Sequence, residues 1–134
     1  MSVQVFASAA NIDTGPLITG YWVTTTQTSA DQINFNGRGA IVALSVTGIT
    51  TGLPAGLIQL IVQGKDSGSG LYYPIFTSAP VSTATNSVIP YLIHVDALVS
   101  PTSAKSPLPR TWNVIVKALN ANPASYTVGA SIIL

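Results

Sequence analysis

The sequence predicts an all-β fold: a two-sheet antiparallel β-sandwich, jelly-roll-like, of seven or eight strands. Three observations predict it. The stretch Leu108–Ala118 alternates after a pair of prolines, with Trp112, Val114, Val116 and Ala118 on one face and Thr111, Asn113, Ile115 and Lys117 on the other. A period of two with β-branched and aromatic residues is the mark of a half-buried strand. Further runs copy the pattern between Gly, Pro and Asn turns, and no run carries the helical period. No repeat at a fixed spacing is present, which argues against a propeller or solenoid.

Taken in order, residues 1–19 read as an N-terminal arm around the turn signal Asp13-Thr14-Gly15-Pro16, and residues 20–134 as a single sandwich domain. Tyr21–Thr28 is strand-like because its threonines suit a pleated surface and disfavour helix. Ser29–Gly39 is a loop whose Asn36-Gly37 pair accepts the positive φ of a tight turn. Ala40–Gly48 is a strand, with Val42, Leu44 and Val46 facing away from Ile41, Ala43, Ser45 and Thr47. After the loop Thr50–Gly56, Leu57–Lys65 sets Ile58, Leu60 and Val62 against Leu57, Gln59, Ile61 and Gln63. The Gly-rich Gly64–Gly70 makes the flanking strands a hairpin.

Leu71–Ser78 contains Pro74, which has no N–H for a ladder, so that strand belongs at an edge or carries a bulge. Ser82–Ser87 is a polar turn. Val88–Val95 sets Ile89, Tyr91, Ile93 and Val95 against Val88, Pro90, Leu92 and His94. Ala97–Pro107 has no period and reads as a long loop with an exposed tip. The Trp112 strand follows, with Trp112 expected at the centre of the core. After the turn Asn120–Pro123, Tyr126–Leu134 runs apolar to the end and is expected to be paired on both sides.

Charged residues make up 7% of the chain, against about 25% in ordinary soluble domains. A net charge of +1 leaves no electrostatic footprint for nucleic acid or an anionic membrane. No run reaches the roughly 18 apolar residues of a membrane helix. Met1–Val5 lacks the basic start of a secretory signal. With no cysteine, disulfides and Cys-metal sites are excluded. A skin of hydroxyls and amides belongs either to a solvated monomer or to a surface covered by other subunits, since net charge normally keeps proteins apart. So few charges favour the second reading. Ile41, Leu57, Ile61, Leu92 and Ile115 lie opposite the core positions and are the apolar interface candidates. The competing reading buries both faces within one barrel.

Candidate chemistry is sparse. His94 and Asp96 share a strand face, but i and i+2 lie about 6–7 Å apart along a strand, too far for a direct orienting bond. No Gly-x-Ser-x-Gly elbow accompanies them. Catalytic, cofactor and metal sites are therefore all expected to be absent. One histidine cannot supply a zinc site. Asp66-Ser67-Gly68-Ser69-Gly70 lacks the acidic ligands of a calcium loop and is a hairpin turn. Arg38 and Arg110 each stand beside a turn, free to meet a partner's carboxylate or to pair with Asp31, Asp66 or Asp96. Tyr72, Tyr73, Tyr91 and Trp22 are able to stack on a sugar, although strand aromatics more often belong to a core.

Asn34-Phe35-Asn36-Gly37-Arg38-Gly39, Val62-Gln63-Gly64-Lys65-Asp66, Gly70-Leu71-Tyr72-Tyr73, Leu108-Pro109-Arg110-Thr111-Trp112-Asn113-Val114 and Tyr126-Thr127-Val128-Gly129-Ala130-Ser131 occur in this order. As a set, over residues 20–134, they resemble the capsid decoration, or cement, proteins of tailed bacteriophages. The resemblance implies a non-enzymatic β-sandwich on the virion's capsid surface, assembled in the host cytoplasm. It implies a homotrimer that clamps the major capsid protein, with Arg38 and Arg110 locking loops or meeting the shell. The alternatives are a structural protein of the phage tail or a head fibre, and a carbohydrate-binding module using Tyr72, Tyr73 or Trp22.

Overall fold

A computed structural model describes residues 16–35, 37–50, 57–83 and 88–134. The N-terminal arm up to residue 15, Asn36 of the Asn-Gly turn, the loop 51–56 and residues 84–87 of the polar turn lie outside the described residues. Ten strands are described: β1 (Ile18–Val23), β2 (Gln27–Thr28), β3 (Gln32–Ile33), β4 (Gly39–Ile49), β5 (Ile58–Lys65), β6 (Tyr72–Thr77), β7 (Ile89–His94), β8 (Ser103–Lys105), β9 (Thr111–Ala118) and β10 (Ala124–Ile133). They form two sheets, the first in the order β1-β10-β4-β7-β8 and the second in the order β2-β9-β5-β6, with β3 also on β9.

Ten strands replace the seven or eight expected, and the additions are short. β2 and β3 are two pieces of one line along β9, interrupted at residues 29–31. Tyr21–Thr28, expected as one strand, is thus the end of β1 in one sheet and the whole of β2 in the other. The Ala97–Pro107 segment, expected to be irregular, holds β8, which runs parallel to β7. The sandwich is therefore antiparallel except at that edge. No apolar alternation marks so short a strand, because it sets only Ala104 against the core.

The core sits between the sheets and follows the period of two. Val42, Leu44 and Val46 of β4 are buried, as are Ile58, Leu60 and Val62 of β5, Tyr91 and Ile93 of β7, Trp112, Val114 and Val116 of β9, and Tyr126 and Val128 of β10. Each such side chain stabilises the fold by about 1.5–3 kcal/mol on leaving water. Phe76 of β6 meets Tyr91 of β7 across the sheets, with ring centroids 5.2 Å apart. The inward pattern fades at strand ends: Val95 is exposed, and so is Leu134 beyond β10.

β10 pairs with β1 on one side and β4 on the other, as its apolar run predicted. β6 is an edge strand, and its register on β5 shifts opposite Pro74, so the proline brings both an edge position and a bulge. The β5–β6 hairpin closes through Asp66, whose carbonyl accepts from Gly70 N at 2.8 Å. Gly70 takes φ 73°, a conformation that glycine adopts without cost.

Candidate interaction surfaces

Alternation decides where the outward apolar residues go. Ile41 of β4 and Leu92 of β7 are direct register partners on the outer face of the first sheet. Ile61 of β5 and Ile115 of β9 are direct partners on the outer face of the second. Leu57 precedes β5 and is half-buried, its carbonyl accepting from Leu119 N at 2.9 Å. Ile41 is exposed and the other four are half-buried. The five candidates therefore do not form one patch: two apolar pairs sit on opposite sides of the sandwich.

Arg38 and Arg110 are both exposed, and neither makes an ion pair among the described residues. The expected pairing with Asp31, Asp66 or Asp96 does not occur. Asp31 is taken by Lys65, and Asp66 accepts from the Ser69 hydroxyl at 2.7 Å and the Ser69 amide at 2.9 Å. Arg110 instead stands over the Phe35 ring, 5.9 Å from its centroid. The loops bearing the two arginines are locked by Asn34. Its Nδ2 donates to Gly37 O and Leu108 O, each at 2.9 Å, and its Oδ1 accepts from Gly37 N at 2.7 Å. Asn34 belonged to a stretch read as a turn, and nothing in its spacing marked it as the clamp.

On the outer face of the second sheet, Tyr72 Oη donates to Asp31 Oδ1 at 2.7 Å and Lys65 Nζ to Asp31 Oδ2 at 3.2 Å. Lys65 also lies 5.4 Å from the Tyr72 ring centroid. The Tyr72 hydroxyl, and then Lys65, hold the Asp31 carboxyl below its ordinary value. Asp31 in turn raises the Tyr72 phenol and the Lys65 ammonium. Lys65 is on β5 and Asp31 leads into β3, the two neighbours of β9, so this pair crosses β9. Asn113 of β9, outward by alternation, is nevertheless buried, and its Oδ1 has no hydrogen-bond partner among the described residues.

His94 and Asp96 are joined, but not as a carboxylate and an imidazole. Asp96 N donates to His94 Nδ1 at 3.0 Å, so the backbone occupies the nitrogen that an orienting acid would need. Among the described residues no three His, Asp or Glu side chains gather as metal ligands, and no helix is long and apolar enough to cross a membrane.

Of the four aromatics singled out for stacking, Tyr91 is buried in the core and the other three are separated. Tyr72 is held by Asp31. The end of the Tyr73 ring covers Gly64, where a methyl group would stand 2.6 Å from its Cζ. Trp22 is in the other sheet. It is the only non-glycine residue of positive φ among the described residues, at 49°. Its backbone N donates to Ser125 Oγ at 2.8 Å, and its indole lies against Gly48, where a methyl group would meet Cη2 at 3.0 Å and Cζ2 at 3.1 Å. The only sequence trace of this arrangement is a glycine ending the β4 pattern. No family model matches the chain, and neither does any curated protein or solved structure.

Proposed function

We propose that this chain is a non-enzymatic structural protein of a virion, decorating and cementing the outside of a tailed-phage head by bridging major capsid protein subunits. In this reading it acts as a homotrimer of jelly-roll-like sandwiches. The strand order supports that finer fold: β1-β10-β4-β7 facing β2-β9-β5-β6 is the order of two interlocked Greek keys, an architecture common to capsid and lectin domains. Fold alone carries no function.

The observation that carries the reading is the pair of apolar contacts on opposite outer faces, Ile41 with Leu92 and Ile61 with Ile115, in a chain with a single ion pair among its described residues. A protein with one sticky face makes a dimer; one with two meets two neighbours at once. A contact spanning several subunits exists only on the assembled lattice, so binding stabilises that state by mass action.

The test is cladding. Heads lacking the protein are mixed with it and heated, and DNA release is followed. Clad heads are expected to retain DNA to a higher temperature than bare ones, and Leu92→Lys or Ile115→Lys should each weaken cladding while leaving the fold intact. Equal release from clad and bare heads overturns cementing.

A further inference from the structure

We propose that the outer face of the first sheet, at its Trp22 end, is a binding site for a neutral pyranose unit of a glycan. This stands apart from the shell contact, whose apolar pair on the same sheet is at the opposite end of β4.

The first ground is the backbone of Trp22. A left-handed φ costs an L-residue about 1–2 kcal/mol, and glycine or asparagine would avoid most of it. Trp22 nonetheless remains 47% exposed, so much of this large residue is still presented to solvent. Strain of this kind, held in place by its surroundings, is a pointer to use outside the fold.

The second ground is how the ring is held. Ser125 faces outward between the buried Ala124 and Tyr126. The ladder shifts on both sides of it: between Gly20 and Val23 on β1, and between Ser125 and Tyr126 against β4. These irregularities let Trp22 turn back over Ser125, which is buried, and reach Gly48, Ser125's partner on β4. The indole thus rests against the backbone at Gly48 while Trp22 stays half exposed. Paired bulges that re-aim a side chain are a device of binding sites.

The third ground is what lies next to it. One step along the same face, about 7 Å on, Thr19, Thr127 and Ser45 form a row of hydroxyls across β1, β10 and β4. A further step brings Gly129 beside Ala43, and a methyl group placed at Gly129 would meet nothing within 4 Å among the described residues. The floor is open and low there. The strands of this sheet carry one formal charge, Lys105, on the far edge strand β8.

Together these select the ligand. The negative face of an aromatic ring suits the polarised C–H groups of a pyranose. Hydroxyls beside it supply donors and acceptors for sugar hydroxyls, and a few placed polar groups fix orientation in such sites. Among the described residues of this sheet an anionic sugar finds no cation at this end. A protein anchor would want an apolar surround, and threonine and serine stand there instead.

The experiment uses the full chain and tryptophan emission. Trp112 is 2% exposed, so acrylamide reaches only Trp22. Maltohexaose, cellohexaose, laminarihexaose and chitohexaose are titrated in turn to millimolar concentrations. At least one is expected to shift the emission saturably and to protect it from acrylamide. Binding followed by calorimetry should then be lost in Trp22→Gly and weaken at least about tenfold in Gly129→Lys. Gly129→Lys leaves the indole untouched and fills open space, so it carries the test even if Trp22→Gly misfolds. No saturable change with any of the four sugars overturns the proposal, as does binding that both variants retain. An indole already shielded in the free protein, and released on dilution, also overturns it by making that face a contact between copies.

Discussion

Trp112 and Tyr126 show how far single side chains carry this fold. Trp112 fills the space between the sheets, and Trp112→Ala is expected to cost about 3–5 kcal/mol, read as a drop in the denaturant midpoint at unchanged slope. Its Nε1 has no hydrogen-bond partner among the described residues, so the residue contributes through shape and area. Tyr126 makes stability depend on alkaline pH. Burial pushes its phenol up to about 12, against an ordinary value near 10 in the unfolded chain. The folded state holds this proton more tightly, so the contribution is complete below about pH 10 and is lost as pH rises toward 12. Burial raises the Tyr91 phenol in the same direction. Urea melts across that window should show a loss of about 2–3 kcal/mol from Tyr126, largely absent in Tyr126→Phe; an unchanged slope in that variant contradicts the assignment. Trp112 was legible in the sequence because alternation points large residues inward. Asn34, Asn113 and Trp22 were not. A clamp, a roofed polar residue and a left-handed tryptophan depend on neighbours brought in from distant parts of the chain.

Among the elements, β4 and β10 form the spine. Their ladder runs from Ala124↔Ile49 to Ile133↔Gly39, the longest in the molecule as described. Its two strands are covered by neighbours on both sides, β1 and β7. Amide hydrogen exchange should be slowest there and fastest in β2, β3 and β8, which are short and at edges. Comparable protection in β8 and β10 would contradict this ordering. At the end of the spine, Gly39 leaves no room for a side chain: a methyl group would stand 2.1 Å from Ile93 O. Gly39→Ala should separate β4 from β7 there and cost about 1–3 kcal/mol, the range for overpacking. The long strands were legible because each buries one whole face, which writes a period of two into the sequence. The short ones bury too little to leave a pattern. The partition into two sheets also went unwritten, because alternation says which residues face inward and not which strands are neighbours.

The whole molecule is defined by its shortage of charge. Charged residues are 7% of the chain, and Lys65 with Asp31 is the one ion pair among the described residues. An exposed pair of this kind is worth at most about 1 kcal/mol. Two apolar pairs on opposite faces offer more, together with hydroxyl and amide hydrogen bonds. The chain also passes between the sheets six times, so most pairings are distant in sequence and folding should be slow, in milliseconds to seconds. Composition made the bland surface legible, and alternation named the outward apolar residues. Their division between two faces required the register. Native mass spectrometry at about 0.01 M and about 1 M volatile salt tests this most directly, because the Debye length falls from about 30 to about 3 Å between them. The expected result is the same oligomer, a trimer, at both. A monomer at both, or an assembly that dissolves as salt rises, would contradict it.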